Sequence, residues 1–415
     1  MRAATSVPLR VLLLTALLVG ARAGAAPDPA AWPTPVRPTT LALELVPWVD
    51  GLALPVAVAI APEPSTRWWV VQLEGLVIGI DGRTPDPLPF LDLRHRVTGL
   101  QGEQGLFSIA IEPLTRAQAR ERPRFVVAAF TERDSDDLVV AAYPVDEASG
   151  TADGFDEVEV LRVPMPEPFH HGGQVRFGPD GLLYVSVGDG SVNVTPEGLP
   201  AGHDAPGADL RGRLLRIDLL PTAARSPAYA LPPGGARIDA PGHAPETWAY
   251  GFRNPWKFAF DPVTGGIIAV DVGVDRWEEV HRVVPGGDHG WPAREGPECV
   301  ARPDGRGLVD PECGDDATVA PWIAYGHPAI EPEGGRAVVG GLVVRDPDLP
   351  ELAGRYLFGD FVTGRLWSDD PAGAGRVWLL DAGPGLTAVD EGPAGEVLLV
   401  SVSGTVRRLV AVSPR

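Results

Sequence analysis

Phe177-Gly178-Pro179-Asp180-Gly181-Leu182-Leu183-Tyr184-Val185-Ser186-Val187-Gly188-Asp189-Gly190 is the stretch on which the fold turns. Leu182 to Val187 is a short apolar run, with Asp180-Gly181 before it and Gly188-Asp189-Gly190 after it, and it reads as a β-strand. The same unit recurs along the chain. Ile60-Ala61-Pro62-Glu63-Pro64 precedes Trp68 to Leu73 and then Gly75 to Ile80. Gly212 to Ile217 follows the first unit, and Phe260-Asp261-Pro262 with Gly265-Gly266 precedes Ile267 to Val272. Glu391-Gly392-Pro393-Ala394-Gly395 precedes Val397 to Val402 and Gly404 to Leu409, and Arg355 to Phe361 with Gly364 to Trp367 reads as a further hairpin. Units of about 40 to 60 residues made of short antiparallel strands are the mark of a β-propeller. At about 60 residues per unit the chain holds six blades, so the reading is all-β, a six-bladed β-propeller with little helix. A two-sheet sandwich is the alternative, but that fold rarely needs so many similar strand pairs.

Composition agrees. The 50 glycines and 45 prolines leave few windows for an amphipathic helix, while 44% hydrophobic residues and 11 tryptophans argue against disorder. At the N-terminus, Arg2 and Arg10 accompany the apolar run Val11 to Val19, followed by the small-x-small sites Ala21-Arg22-Ala23 and Ala23-Gly24-Ala25. Residues 1–25 are thus predicted to be a signal peptide, 26–39 a linker and 40–412 the propeller. No later apolar run reaches the ~18 residues of a membrane span, so the expectation is a soluble, secreted or periplasmic protein. A net charge of −20 disfavours nucleic acid as a partner and tolerates a bound cation such as calcium. Cys299 and Cys313 are the only cysteines, and in an exported chain their spacing predicts a local disulfide.

Two stretches carry candidate chemistry. In Phe169-His170-His171-Gly172-Gly173 the glycines let backbone approach closely, and a strand later Asp189 can return towards His170, as a carboxylate that orients a base. A pair of surface histidines beside a hairpin is the plain alternative. In Arg253-Asn254-Pro255 the proline holds its predecessor extended, placing a guanidinium fork and an amide at a strand entry. Asp271-Val272-Gly273-Val274-Asp275, with Trp277-Glu278-Glu279 and Gly286-Gly287-Asp288-His289-Gly290-Trp291-Pro292, offers carboxylates and carbonyls to a cation, without the regular spacing of an EF-hand.

Together these motifs resemble, in order and over roughly residues 40 to 410, the glucose/sorbosone dehydrogenase family of soluble aldose dehydrogenases dependent on pyrroloquinoline quinone (PQQ). Tyr325-Gly326-His327, Gly340-Gly341, the stretch Tyr356 to Arg365 and the two cysteines resemble its Hedgehog-interacting-protein-like branch. The resemblance implies a six-bladed propeller that oxidises an aldose at its anomeric hydroxyl and passes electrons to an external acceptor. It implies His170 as base, Asp189 as its orienting carboxylate, and Arg253 and Asn254 as quinone-binding groups. Gly273 and Val274 correspond to the pair whose carbonyls bind calcium, and Glu103 stands where the quinone enzymes carry Gln beside the substrate. His171 is expected to point away and be structural. The chain departs from the quinone enzymes at Asp360-Phe361-Val362-Thr363 and at Gly385-Leu386-Thr387-Ala388, which lack their Lys and Arg; Arg336 and Arg365 are near in sequence but do not match. The other reading is a non-enzymatic, calcium-containing propeller that binds a glycan or a protein partner.

Overall fold

The computed structural model describes residues 36–62, 66–98, 101–114, 122–146, 148–191, 209–220, 228–235, 243–300, 318–369 and 375–412. The expected signal peptide, most of the expected linker and Cys313 lie outside the described residues.

Asp180-Gly181 makes the tight reversal that the quoted stretch demands. Asp180 Oδ1 accepts the Leu182 amide at 3.1 Å, and Gly181 takes a φ of +77°, a region open to glycine at no steric cost. The strand that follows, Leu183–Val187, is buried throughout and pairs antiparallel with Gly172–Phe177 and Arg213–Leu219. Repetition of this meander builds six blades. Their innermost strands are Pro55–Ile60, Leu106–Ile111, Gly172–Phe177, Lys257–Phe260, Val338–Val343 and Leu386–Glu391. Each packs against the next, and the sixth returns to the first, closing a six-bladed β-propeller. Among the described residues the one helical element is the 3₁₀ turn Pro350–Leu352, and no helix is long and apolar enough to cross a membrane.

The core follows from the strand period. Every blade turns one face to each neighbour, so both faces are apolar and the hydrophobic residues gather between blades. Trp69, Val71 and Phe90 of blade 1 meet Ile109, Phe130 and Tyr143 of blade 2. Tyr325 of blade 4 packs with Phe358 and Trp367 of blade 5.

The N-terminal strand closes the ring. Leu43–Val49 pairs antiparallel with Thr405–Ala411, so the last blade is completed by the first strand of the propeller chain. Val36–Pro38, which the sequence reading assigns to the linker, adds a parallel edge strand to blade 5 through Arg376–Asp381.

Candidate functional site

In an antiparallel blade the start of the first strand and the end of the second lie at the same end of the sheet. Glu103, His170 and Arg253-Asn254 precede the innermost strands of blades 2, 3 and 4. Asp189 and Gly273 follow the second strands of blades 3 and 4. Topology alone therefore delivers the residues singled out in the sequence to one end of the propeller axis.

Hydrogen bonds join them. His170 Nδ1 lies 2.8 Å from Asp189 Oδ1, and both side chains are largely buried. Asp189 Oδ1 also accepts the Ser191 amide at 2.7 Å, while Oδ2 accepts the indole N–H of Trp291 at 2.9 Å. The Asp189 amide donates to the Arg253 carbonyl at 2.7 Å. Glu103 Oε2 accepts the His170 amide at 2.9 Å and Asn254 Nδ2 at 3.3 Å, and Asn254 Oδ1 accepts the Gly172 amide at 3.1 Å. With Asp189 as acceptor, Nδ1 of His170 carries the proton and Nε2 is left with a lone pair, the tautomer a base requires.

His171 goes the other way. It is buried against Phe107, with ring centroids 5.7 Å apart, and burial pushes its pKa down to about 4. It stays neutral as part of the packing.

Arg253 and Asn254 are anchored from below by Asp271, whose two carboxylate oxygens accept their amides at 2.7 and 2.6 Å. The Arg253 Nη1 donates to the carbonyls of Val272 and Gly273 at 2.9 and 2.7 Å, the second being one of the carbonyls that the resemblance assigns to calcium. Val274 is half-exposed and gives its amide to Glu295 Oε1 at 2.9 Å.

Beneath this layer lies a buried group made of Asp271 and Glu279, which the sequence offered as carboxylates for a cation, and His281, which it did not single out. Asp271, Glu279 and His281 bring ligand atoms within 4.8 Å of one another, a set able to hold a metal ion. His281 Nε2 meets Glu279 Oε2 at 3.0 Å, and His289 Nδ1 meets His281 Nδ1 at 3.1 Å. Burial sets their protonation: it raises Glu279 to about 8 and lowers His281 to about 3. Burial, helped by neighbouring His281, lowers His289 to about 2. Asp271 is raised well above the usual carboxylate range by burial and by Glu279. Alternation along Trp277–Arg282 is the signal that could have found His281, since residues 279 and 281 share a strand face.

In the late blades, Thr363 Oγ1 donates to Asp360, and Thr387 Oγ1 lies 3.1 Å from both the Pro55 and Val400 carbonyls, which share its one proton. Arg365 lies over Trp378, 5.5 Å from the ring centre, and donates to the Gly334 carbonyl. The described residues thus fit the base half of a dehydrogenase site. They do not fit PQQ as the resemblance implies, because residues 360–363 and 385–388 hold no Lys or Arg where the quinone enzymes neutralise its carboxylates, and burying such an anion without paired cations costs on the order of several kcal/mol.

The chain is a closed propeller with a carboxylate-held histidine at one end of its axis, and its class is shown by the known proteins that match it. The family model described as "Glucose / Sorbosone dehydrogenase" matches residues 52–406, and the chain belongs to that family. The HIPL1 protein of Arabidopsis thaliana is 31% identical over 255 residues, covering 57% of this chain and 36% of the relative. The human Hedgehog-interacting protein is 28% identical over 228 residues, covering 51% and 31%. The matches thus span about a third of the length of these curated relatives. Among solved structures, the PQQ-bound aldose sugar dehydrogenase of Streptomyces coelicolor aligns with a TM-score of 0.66 at 21% identity, over 90% of this chain and 99% of that one. The likeness establishes the shared fold.

Proposed function

We propose that this chain is an exported sugar dehydrogenase, secreted or periplasmic, in which His170 takes the proton from the anomeric hydroxyl of an aldose. The observation that carries the reading is the 2.8 Å contact between His170 and Asp189 beside Asn254. Asp189 holds the imidazole in the accepting tautomer and steadies the imidazolium that forms when the proton arrives. Asn254 and Glu103 fix the loop that presents the base. Oxidation also needs a hydride acceptor; PQQ with calcium fills that role in the implied reaction, and an external acceptor would drain it. Because residues 360–363 and 385–388 do not supply the cations for PQQ, the hydride passes to a redox acceptor supplied from outside the chain, with PQQ as the first one to test. A disulfide between Cys299 and Cys313 belongs to the same proposal.

The engagement of Arg253 with the Val272 and Gly273 carbonyls favours a second reading, a propeller that binds a glycan or protein partner without chemistry. Likeness to the Hedgehog-interacting protein supports it too. Titration calorimetry with PQQ, with and without calcium, followed by dye-linked oxidation of a panel of aldoses, separates the two. Oxidation that depends on His170 is the expected result. No oxidation of any aldose, with or without added PQQ and calcium, overturns the dehydrogenase reading and leaves the binding propeller.

A further inference from the structure

Trp291 touches both halves of the site. Its indole N–H donates to Asp189 Oδ2 at 2.9 Å, and the Arg253 guanidinium lies 5.7 Å from its ring centre. Asp189 Oδ1 is meanwhile shared by His170 Nδ1 at 2.8 Å and the Ser191 amide at 2.7 Å. With a donor on each oxygen, the carboxylate cannot rotate without losing one of them. The tryptophan is itself fixed. Its amide donates to the Gly251 carbonyl at 3.0 Å, the His289 amide to the Tyr250 carbonyl at 2.8 Å, and the Tyr250 amide to the Gly287 carbonyl at 3.1 Å. A loop of blade 4 is thereby stitched to the outer strand of blade 3, and it carries the indole across to blade 3's carboxylate.

We infer that Trp291 is a positioning residue: by clamping Asp189 Oδ2 it aims Oδ1 at His170 and so keeps the imidazole in its accepting tautomer. The inference rests on the reading of His170 as the base. An indole N–H only donates and does not itself titrate. Around the dyad, Glu103 Oε2 accepts the His170 amide and the Arg253 carbonyl accepts the Asp189 amide.

The test uses the full chain labelled with ¹⁵N at tryptophan and histidine. Asp189→Asn is expected to shift the Trp291 indole resonance upfield, because a charge-assisted hydrogen bond becomes a neutral one. Trp291→Phe keeps an aromatic ring beside Arg253 and removes the donor with the smaller ring that carries it; it is expected to shift the His170 Nδ1 resonance. In the Asp189→Asn background the same change should leave that resonance where it is. In sugar oxidation, Trp291→Phe should lower kcat roughly tenfold with KM nearly unchanged, the pattern of a contact that acts on the transition state. A folded Trp291→Phe protein with unaltered His170 resonance and kcat overturns the clamp, as does an indole resonance blind to Asp189→Asn. If the wild-type protein oxidises no aldose, the dehydrogenase reading fails and the resonances alone decide the clamp.

Discussion

His170 sits where it does because its neighbours lack side chains. A Cβ on Gly188 would lie 2.0 Å from the His170 carbonyl oxygen, and His170 itself takes a φ of +56°, a region costly for most side chains. Gly188→Ala should therefore push the His170 loop off Asp189, lowering turnover and stability together by about 1–3 kcal/mol of strain, measurable in melts and dye-linked assays. His170→Ala should lower turnover by roughly 10²- to 10⁴-fold with little change in Tm, and unchanged turnover would remove His170 as the base. Glu103→Gln keeps an acceptor for the His170 amide but removes a negative charge. Calorimetry should show tighter PQQ uptake in that variant than in wild type, and equal or weaker uptake would mean that Glu103 is not what repels the quinone. The histidine pair was legible as chemistry from its glycines and from Asp189. Which imidazole does what came only from the family resemblance, and packing on Phe107 is the physical feature that sets His171 apart. Trp291 was hidden for a related reason: its partner Asp189 lies 102 residues away.

At the scale of elements, the strands next out from the axis, Trp68–Gln72, Leu183–Val187, Ile267–Asp271 and Val397–Ser401, were readable because Pro, Asp and Gly punctuate them, whereas the innermost strands were not picked out. The loop after Trp277–Arg282 was not, since it has no period of its own and its course depends on backbone bonds to Tyr250 and Gly251. There Glu295 Oε1 gathers the amides of Val274, Trp277 and Arg276 at 2.9, 3.1 and 3.2 Å, an arrangement no local pattern announces. The closing strand was equally hidden, for Leu43–Val49 finds its partner at the far end of the chain. Its removal should be severe: Val49 alone, nearly fully buried, contributes about 1.5–3 kcal/mol, and the edge of Thr405–Ala411 would be left open. A chain beginning at residue 50 should melt at least 10 °C lower or aggregate, whereas one beginning at residue 40 should lose only the edge strand on blade 5 and melt within a few degrees of the whole protein. Equal melts for the two truncations would show that the ring does not depend on this closure.

For the whole molecule, the buried group under the site ties stability to pH. His281 falls from 6.5 to about 3 and His289 from 6.5 to about 2, so the unfolded chain binds more protons there and stability is lost as pH drops below about 6.5. Glu279 rises from 4.5 to about 8, and Asp271 rises well above 3.8, so here the folded state binds the extra proton and stability is lost as pH climbs. Between about 4.5 and 6.5 the two histidines oppose the two acids and this group's contribution is nearly flat; above that window its acids, with buried Glu278 and Glu295, which burial also raises, make stability fall. Thermal melts from pH 4 to 9 should trace this plateau and decline. Glu279→Gln removes one acid, so its decline above pH 6.5 should be shallower and its maximum should move upward. Metal ligands bind as carboxylates and neutral imidazoles, so calcium or zinc entering the Asp271, Glu279 and His281 set should raise the melt more at pH 8 than at pH 5. Equal stability of the wild-type protein at pH 6 and pH 8.5, with no response to Glu279→Gln, would mean that these buried acids are ionised in the folded protein and that another charge balances them.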